Sequence, residues 1–105
     1  MATAIDETSN FKVDKLTSNN YHHWKFNVKM YLIGKDLWEI VSGEEVLAEE
    51  ASEETKRKFK KRENAALASI CLSISTNLQI YVRSAKNPKE AWDTLANHFE
   101  EKNSF

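Results

Sequence analysis

The chain has 105 residues, 41% hydrophobic and 30% charged, a composition that suits one soluble globular domain with a core of its own. Fifteen Lys/Arg against sixteen Asp/Glu leave a net charge of −1, which speaks against a dedicated nucleic-acid binder, normally basic. The single cysteine excludes an internal disulfide or a multi-Cys zinc site, and two glycines with one proline favour helices over a turn-rich all-β fold.

Residues 1–10 are polar, without apolar period, and read as a flexible tail; residues 11–105 read as the domain. The first residues show no charged-then-apolar signal pattern. No run approaches the ~18 apolar residues of a membrane span, so the expected location is the reducing cytoplasm, with no membrane partner. Phe11, Val13 and Leu16 alternate with polar residues, either as a short strand or, the preferred reading, as an extended strap packed on helices.

The first helix is expected after Thr17-Ser18-Asn19-Asn20, with an asparagine as N-cap. Tyr21, Trp24, Val28, Tyr31 and Leu32 form one apolar stripe at three- and four-residue spacing. Phe26, Met30 and Ile33 form a second stripe on nearly the opposite side. A helix apolar on two sides is usually sandwiched in its own domain. The alternative is an association surface, and these three are the candidate partner groove. Gly34 is the expected helix stop. A short helix over about 36–41 follows, closed by Ser42-Gly43.

A charge-segregated stretch comes next. Glu44, Glu45, Glu49, Glu50, Glu53 and Glu54 precede Lys56, Arg57, Lys58, Lys60, Lys61 and Arg62. Ser52 is the expected N-cap of a long helix reaching about Ile74, with glutamates at its positive end and Glu53–Arg57 and Glu54–Lys58 pairs four residues apart. Phe59, Ala66, Leu67, Ile70, Cys71 and Ile74 form its expected inner face. Residues 78–82 read as a further short helical piece or a buried strand of the same length. The last helix has the clearest start: Asn87 as cap, Pro88 at the first position and Glu90 three residues after the cap. Ala91, Trp92, Leu95, Ala96 and Phe99 face inward, and Asn103 is a suitable stop. The expected architecture is therefore all-α, a compact bundle of about five helices with a short extended N-terminal strap. Its core anchors are Trp24, Trp38, Phe59, Ile70, Trp92, Leu95 and Phe99.

Catalytic and cofactor chemistry finds no support in the residues. His22 and His23 are adjacent and diverge on a helix, and His98 has no His, Cys or Asp at ligand spacing. Cys71 falls on an apolar helix face, as inert buried thiols do. Gly34 and Gly43 are too far apart for a phosphate-cradling loop, and glutamates 44–54 sit in a solvated stretch where nothing raises a carboxyl toward neutrality. The expectation is a non-enzyme with no metal, no cofactor and no small-molecule substrate. The basic run 56–62 is read first as a solvated, salt-bridged face, and otherwise as an RNA-facing patch.

Asn20-Tyr21-His22-His23-Trp24-Lys25, then Met30, Leu32 and Leu37-Trp38-Glu39-Ile40-Val41, resembles the opening of Gag proteins from copia-type LTR retrotransposons, which carry an "NYxxW" element and an "LW" pair. Ala66 and Ile70 match the spaced A…I pattern of their charged helix. Residues 85–100 match their "tAkeaWdxLxxxfe" helix. The resemblance covers roughly 14–103, with Phe59 standing where many members carry Trp. It implies the N-terminal domain of a capsid protein, cut from a longer Gag or from a host protein derived from one. It also implies a structural role: self-association into shells, as a homo-oligomer of the full-length parent, with RNA packaged mainly by regions outside this chain. The candidate assembly surface is Glu49, Glu50 and Glu53 with Lys56, Arg57, Lys60 and Lys61, opposed charges suited to head-to-tail contacts. Adaptor binding of a partner peptide, or RNA binding through 56–62, are the alternatives.

Overall fold

A computed structural model of the chain describes residues 13–100; the expected tail 1–10, Phe11 and the expected stop at Asn103 lie outside the described residues. In order, the elements are α1 (Tyr21–Gly34), α2 (Trp38–Ser42), α3 (Glu53–Leu72), a 3-10 helix (Thr76–Tyr81) and α4 (Pro88–Glu100). The fold is all-α, a bundle of four α-helices and one 3-10 helix, and the described residues contain no strand. Residues 78–82, open between helix and strand in sequence, belong mostly to the 3-10 turn, with Leu78 and Val82 buried.

The helices converge on an indole pair. Trp24 of α1 is 1% exposed and stacks on Trp92 of α4 with ring centroids 5.5 Å apart. Trp38 of α2 meets the edge of Trp92 at 5.3 Å, and Tyr21 stacks on Phe99 at 5.1 Å. Val28, Leu32, Ile70 and Leu95 fill the space around the rings. Such ring pairs add ~0.5–1.5 kcal/mol beyond the area they bury.

The strap acquires a partner that sequence reading did not foresee. Where α3 ends, Ser73 turns its carbonyl toward both the strap and α1. It accepts from the Leu16 N–H at 2.9 Å and from the Trp24 indole N–H at 2.8 Å. Ser75 N–H returns a bond to Leu16 O at 2.9 Å, so Leu16 and Ile74 form an isolated parallel bridge. Leu16 is fully buried beneath it. α3 thus stops at Leu72 and not at Ile74, because Ile74 is drawn into this bridge. The Gln79 side chain donates to the Cys71 carbonyl at 3.0 Å, satisfying one of the acceptors that a helix end leaves open.

Two local expectations are corrected. Asn20 is the N-cap of α1, but its side chain makes no cap bond. It instead accepts from Thr17 N–H at 2.7 Å and donates to Lys15 O at 3.0 Å, closing the strap-to-helix turn. α1 ends at Gly34 as expected, but the left-handed residue is Asp36, with φ 61°, and not Gly34. That backbone is held by Arg62, whose guanidinium donates to Asp36 O at 2.6 Å. Asparagine and aspartate tolerate this conformation better than most non-glycine residues.

Three expected caps and stops hold as read. Ser52 Oγ accepts from Thr55 N–H at 3.1 Å at the start of α3. Gly43 ends α2 in the left-handed region at φ 90°. Asn87 accepts from Glu90 N–H at 2.8 Å at the start of α4, while the Glu90 carboxylate reaches back to Lys86 N–H at 2.5 Å.

Candidate assembly surfaces

Of the expected anchors, Trp24, Ile70, Trp92, Leu95 and Phe99 are buried. Trp38 is partly buried and packed on the core. Phe59 is partly buried and stands outside the main cluster, a correction to its place among the anchors. It lies two turns before Ala66, beyond the reach of the indole pair. There it lines a notch with Leu47 and Pro88, between the 43–52 segment and the start of α4.

The outer face of α1 is the larger surprise. Phe26, Met30 and Ile33 are exposed, Phe26 by 63%, so the expectation that this stripe is sandwiched within the domain is overturned. At about 100° per residue the three point opposite to Trp24, Val28 and Leu32, and the described residues supply no layer on that side. They also do not form a groove. The hollow between α1, α3 and the strap is lined by Val13, Val28, Tyr31, Ala68 and Leu72, and by none of the three. They make a ridge. Its helix carries Lys25, Lys29 and the two adjacent histidines, and no Asp or Glu.

The charge-split segment resolves into paired and unpaired members. Glu54–Lys58 forms at 3.2 Å as expected, but Glu53 pairs with Lys56 at 3.5 Å and not with Arg57. Lys60 meets Glu63 at 3.6 Å. Arg62 grips Glu45 with two bonds, 2.7 and 3.0 Å, and holds its carboxyl below the usual range. The same pairing raises the guanidinium's own value. This clamp and the left-handed Gly43 set the course of the loop after α2. The loop then presents Val46, 76% exposed, and Leu47 to solvent between Glu44–Glu45 and Glu49–Glu50. Among the described residues Glu49, Glu50, Arg57 and Lys61 have no ion pair. Sequence reading took this stretch for its charges and missed the apolar pair inside it; a Val-Leu step among four glutamates, with no helical period, was the available signal.

Across the bundle, Glu100 of α4 accepts from Tyr21 Oη at 2.7 Å and from Lys25 Nζ at 2.5 Å. The Lys25 bond, then the Tyr21 bond, hold its carboxyl below the usual range. Burial, then Glu100, push the Tyr21 hydroxyl upward. Cys71 packs partly buried against the core, and burial raises its thiol. Among the described residues no group of three or more His, Cys, Asp or Glu is placed to hold a metal ion, and no helix is long and apolar enough to cross a membrane.

What the arrangement offers is surface: an apolar ridge on a rigid helix, an acidic loop with apolar tips, and a mixed-charge helix face. Residues 28–105 match the family described as gag-polypeptide of LTR copia-type. No curated protein and no solved structure matches the chain.

Proposed function

Because this chain belongs to the gag-polypeptide family of copia-type LTR retrotransposons, we propose that it is the self-associating part of a Gag-like capsid protein, joining copies into shells that enclose RNA. Gag-type domains are structural and non-catalytic, and this one works by contact, without a reaction of its own. One observation carries the reading: Phe26, Met30 and Ile33 stand in solvent on a helix whose other face is locked to the indole pair. A rigid helix with an uncovered apolar ridge gains by meeting another surface. Many weak contacts repeated over a closed lattice make a stable particle, and near-neutral overall charge lets copies approach. The assembly belongs to the cytoplasm in this reading, and RNA is gathered mainly by parts of the parent protein outside these residues.

The test is electron microscopy of the full-length parent protein at high concentration over a range of salt. Closed or tubular particles are expected; monomers under every condition refute the reading. Direct RNA binding through 56–62 is disfavoured by the pairing of Lys56, Lys58, Lys60 and Arg62 with glutamates, which leaves Arg57 and Lys61 as the run's cations without an ion pair among the described residues. A gel shift at physiological salt that weakens when Lys60, Lys61 and Arg62 become alanine supports that reading instead.

A further inference from the structure

The ridge on α1 is apolar at its crest, with Lys29 on its flank. Residues 21–35 contain Lys25, Lys29 and Lys35 and no carboxylate. Glu100 neutralises Lys25, whereas Lys29 lies over the Trp38 ring, 5.0 Å from its centroid, without an ion pair among the described residues; Lys35 lies 5.7 Å from the Tyr31 ring, on the side of the helix away from the ridge. Two such ridges pressed face to face bring like charges together, which costs free energy. The fitting occupant is an anionic segment with apolar tips, and residues 44–50 of this chain have that character: four glutamates, no cation, and Val46 and Leu47 exposed among them.

We infer that the Phe26–Met30–Ile33 ridge of one copy receives the Glu44–Glu50 segment of the next, an inference that rests on the capsid reading and names the contact. Within one copy the segment is committed elsewhere. Glu45 is clamped to Arg62 of α3, and Leu47 sits beside Phe59 and Pro88 on the side facing α3 and α4. The ridge is therefore met by another molecule's loop. Val46 lies against Phe26 and Ile33, while Glu49 and Glu50 approach Lys29. The contact is heterologous, so each copy keeps one working surface free and the chain of contacts propagates until symmetry closes it. With so few side chains it falls at the small end of interfaces, below roughly 1,200 Å², and is weak singly. Its ionic part weakens with salt, since the Debye length shrinks from about 10 Å at 0.1 M to about 3 Å at 1 M.

Sedimentation of the 105-residue chain with two disabled variants tests this. Phe26→Ser/Ile33→Ser removes the ridge; Val46→Ser/Glu49→Lys/Glu50→Lys removes the loop surface. All five positions are exposed, so both variants keep the native circular dichroism spectrum. The native chain is expected to associate progressively with concentration, and less at high salt. Each variant alone stays monomeric, and an equal mixture forms a species that stops at a pair, because one copy supplies the ridge and the other the loop. A mixture that stays monomeric overturns the inference, as does a native chain monomeric at every concentration. A loop variant that still dimerises alone overturns it too, and reveals ridge-to-ridge pairing or another occupant. Particle formation by the full-length protein separates the two levels: particles that persist with Phe26→Ser/Ile33→Ser sink this contact and leave the capsid reading standing, whereas no particles from the native protein sink the capsid reading.

Discussion

Replacing Trp24 tests the core most directly. Its indole is 1% exposed, stacked on Trp92 and bonded to Ser73 O. A buried Trp removes about 200 Å² from water, which at about 25 cal/mol per Å² is ~5 kcal/mol, an upper figure because unfolded chains already bury some surface. The lost indole bond adds ~1 kcal/mol. Ser73 O still accepts from Leu16 N–H, so no carbonyl is orphaned. Trp24→Ala should therefore cost ~3–5 kcal/mol, a large share of the stability of a domain whose total is ~5–15 kcal/mol. Trp24→Phe, which keeps an aromatic ring but loses the bond and part of the volume, should cost ~1–2 kcal/mol. Phe26→Ala, two residues along the same helix but 63% exposed, should stay within about 0.5 kcal/mol. Urea denaturation followed by far-ultraviolet circular dichroism measures all three; if Trp24→Ala does not fold, Trp24→Phe supplies the number. The reasoning is refuted if Trp24→Phe matches the native protein, or if Phe26→Ala costs as much as the Trp24 changes.

The two glycines should respond oppositely. Gly34→Ala finds open space at a backbone that is not left-handed and should stabilise by ~0.5 kcal/mol, whereas Gly43→Ala at φ 90° should destabilise by ~1–2 kcal/mol; equal melting temperatures would contradict this. Stability should also fall in acid. Glu100 and Glu45 have folded values below the ordinary 4.5, so the stability they lend is complete above that value and is lost as pH falls through the lower folded values. Lys25→Met should make that acid limb shallower, and an unchanged limb would count against the Lys25–Glu100 pair. Tyr21 has the opposite sign: its folded value lies above the ordinary 10.0, so its contribution holds below that value and fades on stronger alkalinisation. Tyr21→Phe should flatten the alkaline limb of the same stability curve.

Helix periods, the Ser52 and Asn87 caps and the stripes ending in Trp24, Trp92, Leu95 and Phe99 were legible along the chain, because each rests on residues three or four apart. The family resemblance was legible for the same reason, being a string of local motifs. The charge-split segment was legible as charge, but not as a partition. Whether Glu53 meets Lys56 or Arg57 depends on side-chain reach, and that Arg62 turns away from its own run to Glu45 depends on where α2 delivers the loop.

What local pattern cannot reveal is which side of an element remains without a neighbour. Both stripes of α1 are apolar in sequence; only the packing of the other described elements leaves Phe26, Met30 and Ile33 in solvent while Val28 and Leu32 are enclosed. Asn20 shows the same division on a smaller scale: its identity announces a cap, but competing backbone groups of the strap turn, Thr17 N–H and Lys15 O, take its side chain. Likewise the bridge between Leu16 and Ile74 joins residues far apart in sequence, and Ser73 becomes the acceptor for strap and indole together only once α3 has ended beside them. Short-range hydrogen bonding and apolar period thus determined the helices of this protein, while long-range packing decided which of their faces are left for another molecule.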